Sequence, residues 1–176
     1  PEGEAFLRRL ERLIRTVYLY PGPTCAVVNG HAIAGGCILA LVCDLRVAVP
    51  NDKARIGLNE VALGLRFPPS LLGMIRSRIP PEHQEAVILE AGLHDPEDAL
   101  WLGLLDAVTD SPEPWVQEHL GRRAKNPPAA YAAAKLALRG PAAAVTAAQD
   151  EAFVRDVLPS WVSPELKATL RKFLGR

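Results

Sequence analysis

No stretch of the 176 residues approaches the ~20 consecutive apolar residues that a bilayer-crossing helix needs, so no membrane span is expected. Cysteine is scarce. Cys25, Cys37 and Cys43 are odd in number, lie in apolar surroundings and follow no visible signal peptide, which predicts reduced, buried thiols rather than a disulfide framework. Cys37, beside two glycines, is a candidate reactive thiol, although a small core residue fits the habits of free cysteine better. Neither sign of charge is in excess, with 20 Lys and Arg against 20 Asp and Glu, so bulk charge points to no polyanionic partner and nucleic-acid binding is not expected. Histidine is also sparse, and His83 and His94 lack partners at metal-ligand spacing, so no metal site is predicted. A glycine-rich nucleotide loop is missing as well. What remains is a chain that is 49% hydrophobic, enough to bury one real core.

Within that chain the most informative stretch runs from Thr24 to Gly64. Thr24–Val28 is a short apolar, partly β-branched run closed by Asn29-Gly30, which predicts a buried strand and a tight turn. Cys37–Val42 is apolar all round, as a core helix is, and Gly35-Gly36 fall at or just before its first turn. Backbone N–H groups there have no intrahelical partner, the helix dipole is positive, and glycine lets an oxygen come close. The spacing therefore offers a place for a negatively charged oxygen, with a close-packed helix start that holds no ligand as the alternative. Asp44–Val49 reads as a second strand, and Arg55-Ile56-Gly57 as a third leading into Leu58-Asn59-Glu60. Glu60 has apolar residues on both sides, and burial would raise its pKa into the range of a proton shuttle near neutral pH; an exposed glutamate in a helical first turn is the alternative.

The flanks read as helical. Glu4–Tyr20 is amphipathic, with Phe6, Leu7, Leu10, Leu13, Ile14 and Val17 on one face. Helices are predicted over Ser70–Ile79 and Glu82–Ala91, and another is expected to start at Asp95 as N-cap with Pro96 in its first turn. From Pro112 onward the pattern is all helical, over about Pro114–Lys125, Ala129–Arg139, Ala142–Leu158 and Pro164–Leu174. Phe153, Leu158, Trp161 and Phe173 form an apolar set large enough to suggest a subunit interface, with burial in the same chain as the alternative. Lys167, Arg171, Lys172 and Arg176 on the last helix read as a solvated face, with phosphate contact as the alternative.

The pattern Ala34-Gly35-Gly36-Cys37, Cys43-Asp44, Ile56-Gly57-Leu58-Asn59-Glu60 and Leu63-Gly64 resembles the crotonase (enoyl-CoA hydratase/isomerase) superfamily, and within it the 3,2-trans-enoyl-CoA isomerases. The resemblance implies an α/β, crotonase-like ββα spiral core over residues 1–111 and a helical oligomerisation region over residues 112–176, assembled as trimers or pairs of trimers. It implies that the Gly35 N–H is half of an oxyanion hole, that Glu60 moves protons, and that Ala34 and Asn59 line the substrate site. Coenzyme A enters as part of the substrate, with no separate cofactor. Gly103–Val108 is similar to the family's short strand after the fifth helix read above. In the family several strands and a loop donating the second oxyanion N–H precede the helix at Glu4, so the chain is expected to be part of a longer protein. A cytoplasmic location is expected, or the mitochondrial matrix if a targeting segment preceded Pro1.

Ile38 is the informative departure, because it stands where hydratases carry a second glutamate. Adding water across a double bond needs a base for the water and an acid for C2, work that two carboxylates share. Moving a double bond from C3 to C2 needs one base, which takes a C2 proton and returns it at C4 through a dienolate. Leu65–Ser70, stiffened by Pro68-Pro69, also differs from the hydratases' glycine-rich loop, while Arg66 fits neither pattern. The expectation is therefore isomerisation of 3-enoyl-CoA to 2-trans-enoyl-CoA. Hydration is the alternative, and a non-catalytic CoA-binding or assembly subunit is the alternative of another class.

Overall fold

The computed structural model describes residues 2–173. The chain starts with α1 (Glu2–Tyr18), whose buried face is Leu7, Ile14 and Tyr18, with Leu10 and Val17 packed beside them. Phe6 and Leu13, expected on that face, are 62% and 51% exposed, because the helix turns a narrower stripe toward the core than its apolar residues would allow.

Two small parallel sheets follow. β1 (Cys25–Val28) pairs with β3 (Leu45–Ala48), Cys25 opposite Leu45, and β3 pairs in turn with β5 (Ala107–Val108). Central β3 is buried along its whole length, and its one charged residue, Arg46, is neutralised by a bidentate pair with Asp106 at 2.7 and 3.0 Å. β2 (Ala32–Ile33) pairs with β4 (Ile56–Gly57), and Ile56 is bridged on its other side, antiparallel, by His94. The strand at 32–33 escapes sequence reading because two residues carry no periodicity. Between the sheets runs α2 (Gly35–Val42), with Cys37, Ile38, Leu41 and Val42 in the core.

The next helices, α3 (Pro69–Arg76), α4 (Gln84–Ile88) and α5 (Pro96–Trp101), bring Leu71, Met74, Ile75, Val87 and Ala99 into the same core. The helix expected over Glu82–Ala91 is shorter, beginning as a 3₁₀ turn at Pro81–His83. Asp95 caps α5 as expected, accepting the Asp98 N–H at 2.9 Å. α6 (Pro112–Ala124) then packs on β1 and β3, and α7 (Pro128–Arg139) packs on the turn that follows it at Pro141–Ala143.

The single helix expected over Ala142–Leu158 is broken. A 3₁₀ turn at Pro141–Ala143 ends in extended Ala144, and α8 (Ala147–Asp156) starts afresh from a capping box in which Thr146 and Gln149 bond each other's backbone N–H. β-Branched Val145 and Thr146 interrupt the alanine run, and threonine stabilises a helix start better than an interior. α9 (Leu158–Trp161) and α10 (Pro164–Phe173) complete the described chain. Phe153 is buried, Leu158 and Trp161 are half-buried, and the Phe173 side chain lies outside the described residues. Phe153 is thus packed within the chain, while Leu158 and Trp161 keep part of their surface exposed. Among the described residues no helix is long and apolar enough to cross a membrane.

Candidate active site

Backbone strain marks the start of α2. Ala34, its N-cap, has φ 52° and ψ −121°, a region that glycine tolerates and alanine does not, at a cost of about 1–3 kcal/mol. Two bonds hold it there: its N–H donates to Gly57 O, and its carbonyl accepts the Ile38 N–H, each at 2.9 Å. This geometry opens the helix directly onto Gly35 and Gly36. A Cβ built on either glycine meets nothing within 4 Å, so the side-chain positions of the first turn are open space.

The other end of α2 is closed. Its last carbonyls would be orphaned in the core, and side chains from distant elements satisfy them. Arg78 donates to Leu41 O at 3.0 Å and to Cys43 O at 3.1 Å, while Arg139 of α7 donates to Val42 O at 3.1 Å and to Tyr18 O at 2.9 Å. Arg139 and Lys135 also bind the buried Asp44 carboxylate at 2.8 and 2.7 Å, and the Thr24 N–H donates to it at 2.7 Å. Cations at a helix C-terminus favour the dipole, so the network fixes α2 from behind and leaves its positive end free. The sequence offers little sign of it, since its members are spread over residues 24–139 and follow no motif.

β4 delivers the second half of the site. The Ala34–Gly57 bond ties the start of α2 to the end of β4, and the chain then turns through Leu58, Asn59 and Glu60, all buried. Glu60 is 3% exposed, and its Oε2 has no partner among the described residues. Burial pushes its carboxyl up to about 7, opposed only by a bond from its own backbone N–H. Asn59 is 4% exposed with Oδ1 likewise unpaired. The alternative of an exposed glutamate is thereby excluded. Cys37 lies close enough for the Glu60 carboxylate to matter: desolvation first, then that charge, pushes the thiol up to about 12, so Cys37 is an inert core residue. Ile38, 3% exposed, belongs to the core and brings no second carboxylate.

The loop after Glu60 is pinned at two points. The Leu65 N–H donates to Glu60 O at 2.8 Å, and the Trp161 indole N–H donates to the Arg66 carbonyl at 2.9 Å. Arg66 thus has a structural place through its backbone while its side chain stays exposed. Lys167, Arg171 and Lys172 are exposed on α10, and Arg176 lies outside the described residues. Among the described residues no cluster of His, Cys, Asp and Glu is arranged to hold a metal ion.

A helix start with open N–H groups, beside one buried carboxyl that titrates near neutrality, can stabilise a developing oxyanion while moving a proton. Comparison with known proteins places the chain in a family. The enoyl-CoA hydratase/isomerase family model matches residues 3–174. Mouse mitochondrial enoyl-CoA delta isomerase 1 is 40% identical over 83 residues, covering 47% of this chain and 29% of the mouse protein. Among solved structures, human mitochondrial delta3-delta2-enoyl-CoA isomerase superposes with a TM-score of 0.82 at 26% identity, covering 95% of this chain and 66% of that one. A Mycobacterium marinum enoyl-CoA hydratase gives 0.71 at 27% identity, covering 85% and 67%. The match thus spans about a third of the mouse relative and two thirds of the human structure.

Proposed function

The chain belongs to the enoyl-CoA hydratase/isomerase family and has its crotonase fold, and from that premise we propose that it isomerises 3-enoyl-CoA to 2-trans-enoyl-CoA. The observation that carries this reading is the buried Glu60, with one carboxylate oxygen unpaired among the described residues, together with an apolar, buried Ile38. Glu60, ionised at neutral pH in part, takes a proton from C2 of the acyl chain. The electron pair moves into a dienolate whose charge rests on the thioester oxygen. The Gly35 N–H at the positive end of α2 stabilises that oxygen, and one such donor is worth about 3 kcal/mol. The protonated Glu60 then returns the proton at C4, so no water is consumed and no cofactor is used beyond the CoA of the substrate. Ala34 sets the direction of the Gly35 N–H through its strained backbone, and the unpaired Asn59 side chain lines the acyl site.

Residues 112–176 serve in this reading as the assembly region of a homotrimer or hexamer, supported by Leu136 and Leu138 standing 57% and 81% exposed on α7. Similarity to a hydratase as well as to isomerases makes the reaction itself the point to test. Glu60→Gln should lower turnover of 3-enoyl-CoA by on the order of 10²–10⁴-fold. Unchanged turnover, or brisk hydration of 2-enoyl-CoA by the unmutated protein, overturns the assignment.

A further inference from the structure

The network behind α2 holds more positive charge than it neutralises. A cavity of about 300 Å³ opens beside it, lined by Arg78, Arg123, Lys135 and Arg139, with Tyr131 and a single carboxylate, Asp44. The protein as a whole is neutral, so four cations against one acid in one cavity is a local choice. Asp44 cannot serve all four, because both its oxygens are already taken: Oδ1 by Arg139, and Oδ2 by Lys135 and Thr24.

One edge of Arg78 and the whole guanidinium group of Arg123 are left over. Lys135 Nζ is spent on Asp44 and on Gly22 O, and Arg139 on Asp44 and two carbonyls. Arg78 uses Nε and one terminal nitrogen on three carbonyls, those of Leu41, Cys43 and Asp44, so its other terminal nitrogen makes no bond among the described residues. Arg123 forms no ion pair or side-chain hydrogen bond among the described residues, and it is half-buried. Arg78 forms no ion pair among the described residues, and the charges of Asp106 and Asp44 offset its surroundings only in part. Burial, then the neighbouring guanidinium groups of Arg46 and Arg139, pull it down to about 10, the response of a cation with too little negative charge around it. Two guanidinium groups with unspent planar donors, half out of water, fit a tetrahedral oxyanion better than a point cation would.

We infer that this cavity between α7, the segment after α3 and the end of α6 binds a phosphate-type oxyanion, held by Arg123 and the free edge of Arg78. It lies at the closed end of α2, a full eight-residue helix from Gly35, or about 12 Å at 1.5 Å per residue. The ligand is therefore separate from the thioester oxygen of the proposed reaction. The inference does not rest on that reaction.

Thermal unfolding in sodium phosphate against sodium chloride of equal ionic strength tests it directly. A saturable rise in Tm with phosphate, reproduced by sulfate, is expected. It should vanish in Arg123→Gln, which breaks no contact that the fold uses, and shrink in Tyr131→Phe if the hydroxyl also donates. It should persist in Glu60→Gln and add to any rise caused by acyl-CoA. Equal Tm values in the two salts, an unaltered response in Arg123→Gln, or loss of the phosphate effect once acyl-CoA is bound would each overturn the site. The last outcome would assign the anion to the CoA phosphates.

Discussion

Asp44 and Glu60 are both carboxylates buried to within a tenth of full exclusion from water, at 9% and 3% exposure, and they stand on either side of one helix. Asp44 accepts from Lys135, Arg139 and Thr24. Burial alone would raise its pKa, but the Lys135 bond and the Arg139 charge outweigh that and hold it below the ordinary carboxylate range. Glu60 has no such side-chain partner, and burial is opposed only by a bond from its own backbone N–H. Depth therefore does not decide what a carboxylate does; the donors around it do. One acid is locked as an anion to hold α2 in place, and the other is left able to gain and lose a proton beside the open end of α2.

The strongest way to break the contrast is Asp44→Asn. It strands Lys135 and Arg139 without a counter-charge, and removing one partner of a buried ion pair costs about 3–5 kcal/mol. Urea unfolding at neutral pH measures it, and a loss below about 1 kcal/mol would mean that the network is solvated rather than structural.

Glu60→Gln should act in the opposite direction. The folded protein keeps Glu60 protonated up to about 7, whereas the unfolded chain ionises near 4.5, so Glu60 lowers stability progressively as pH rises through that window. The difference of roughly 2.5 units corresponds to about 3 kcal/mol, so Glu60→Gln should be more stable than the parent at pH 8 and nearly equal to it at pH 4. Asp44 has the reverse sign: its contribution is present above the ordinary carboxylate range and is lost as pH falls below it. Unfolding free energies at pH 4, 6 and 8 distinguish the two, and a stability gain that does not grow with pH would show that Glu60 is not desolvated. The same titration should appear in turnover, with kcat/KM rising through an apparent pKa near 7 as the base is uncovered.

The smallest effect belongs to the strain that opens the site. Ala34→Gly removes a Cβ from a backbone at φ 52° and should stabilise the fold by about 1 kcal/mol or less, since glycine also loses more entropy on folding. A destabilised Ala34→Gly would mean that the alanine methyl is used in packing. A loss of turnover without loss of stability would mean that the looser backbone no longer aims the Gly35 N–H.

Much of this was legible along the chain because the signals were local. Gly35-Gly36 before an apolar octet marked the helix start, Asp95-Pro96 marked another, and the Asn59-Glu60 pair after a short β run marked the carboxyl. Legibility failed where short elements or long-range partners decided. The two residues of β2 could not announce a strand, and Phe6 and Leu13 looked like core residues. Residues 142–158 looked like one helix until Val145 and Thr146 broke it and restarted it with a capping box.

By itself the sequence determined which residues could do chemistry: one glutamate, no second acid at Ile38, and two glycines where backbone N–H groups are unpaired. Only the tertiary structure decided which acid would titrate and which would not. Proton affinity depends on water excluded and donors supplied, and Lys135 and Arg139 reach Asp44 across more than ninety residues of chain while nothing described reaches Glu60 Oε2.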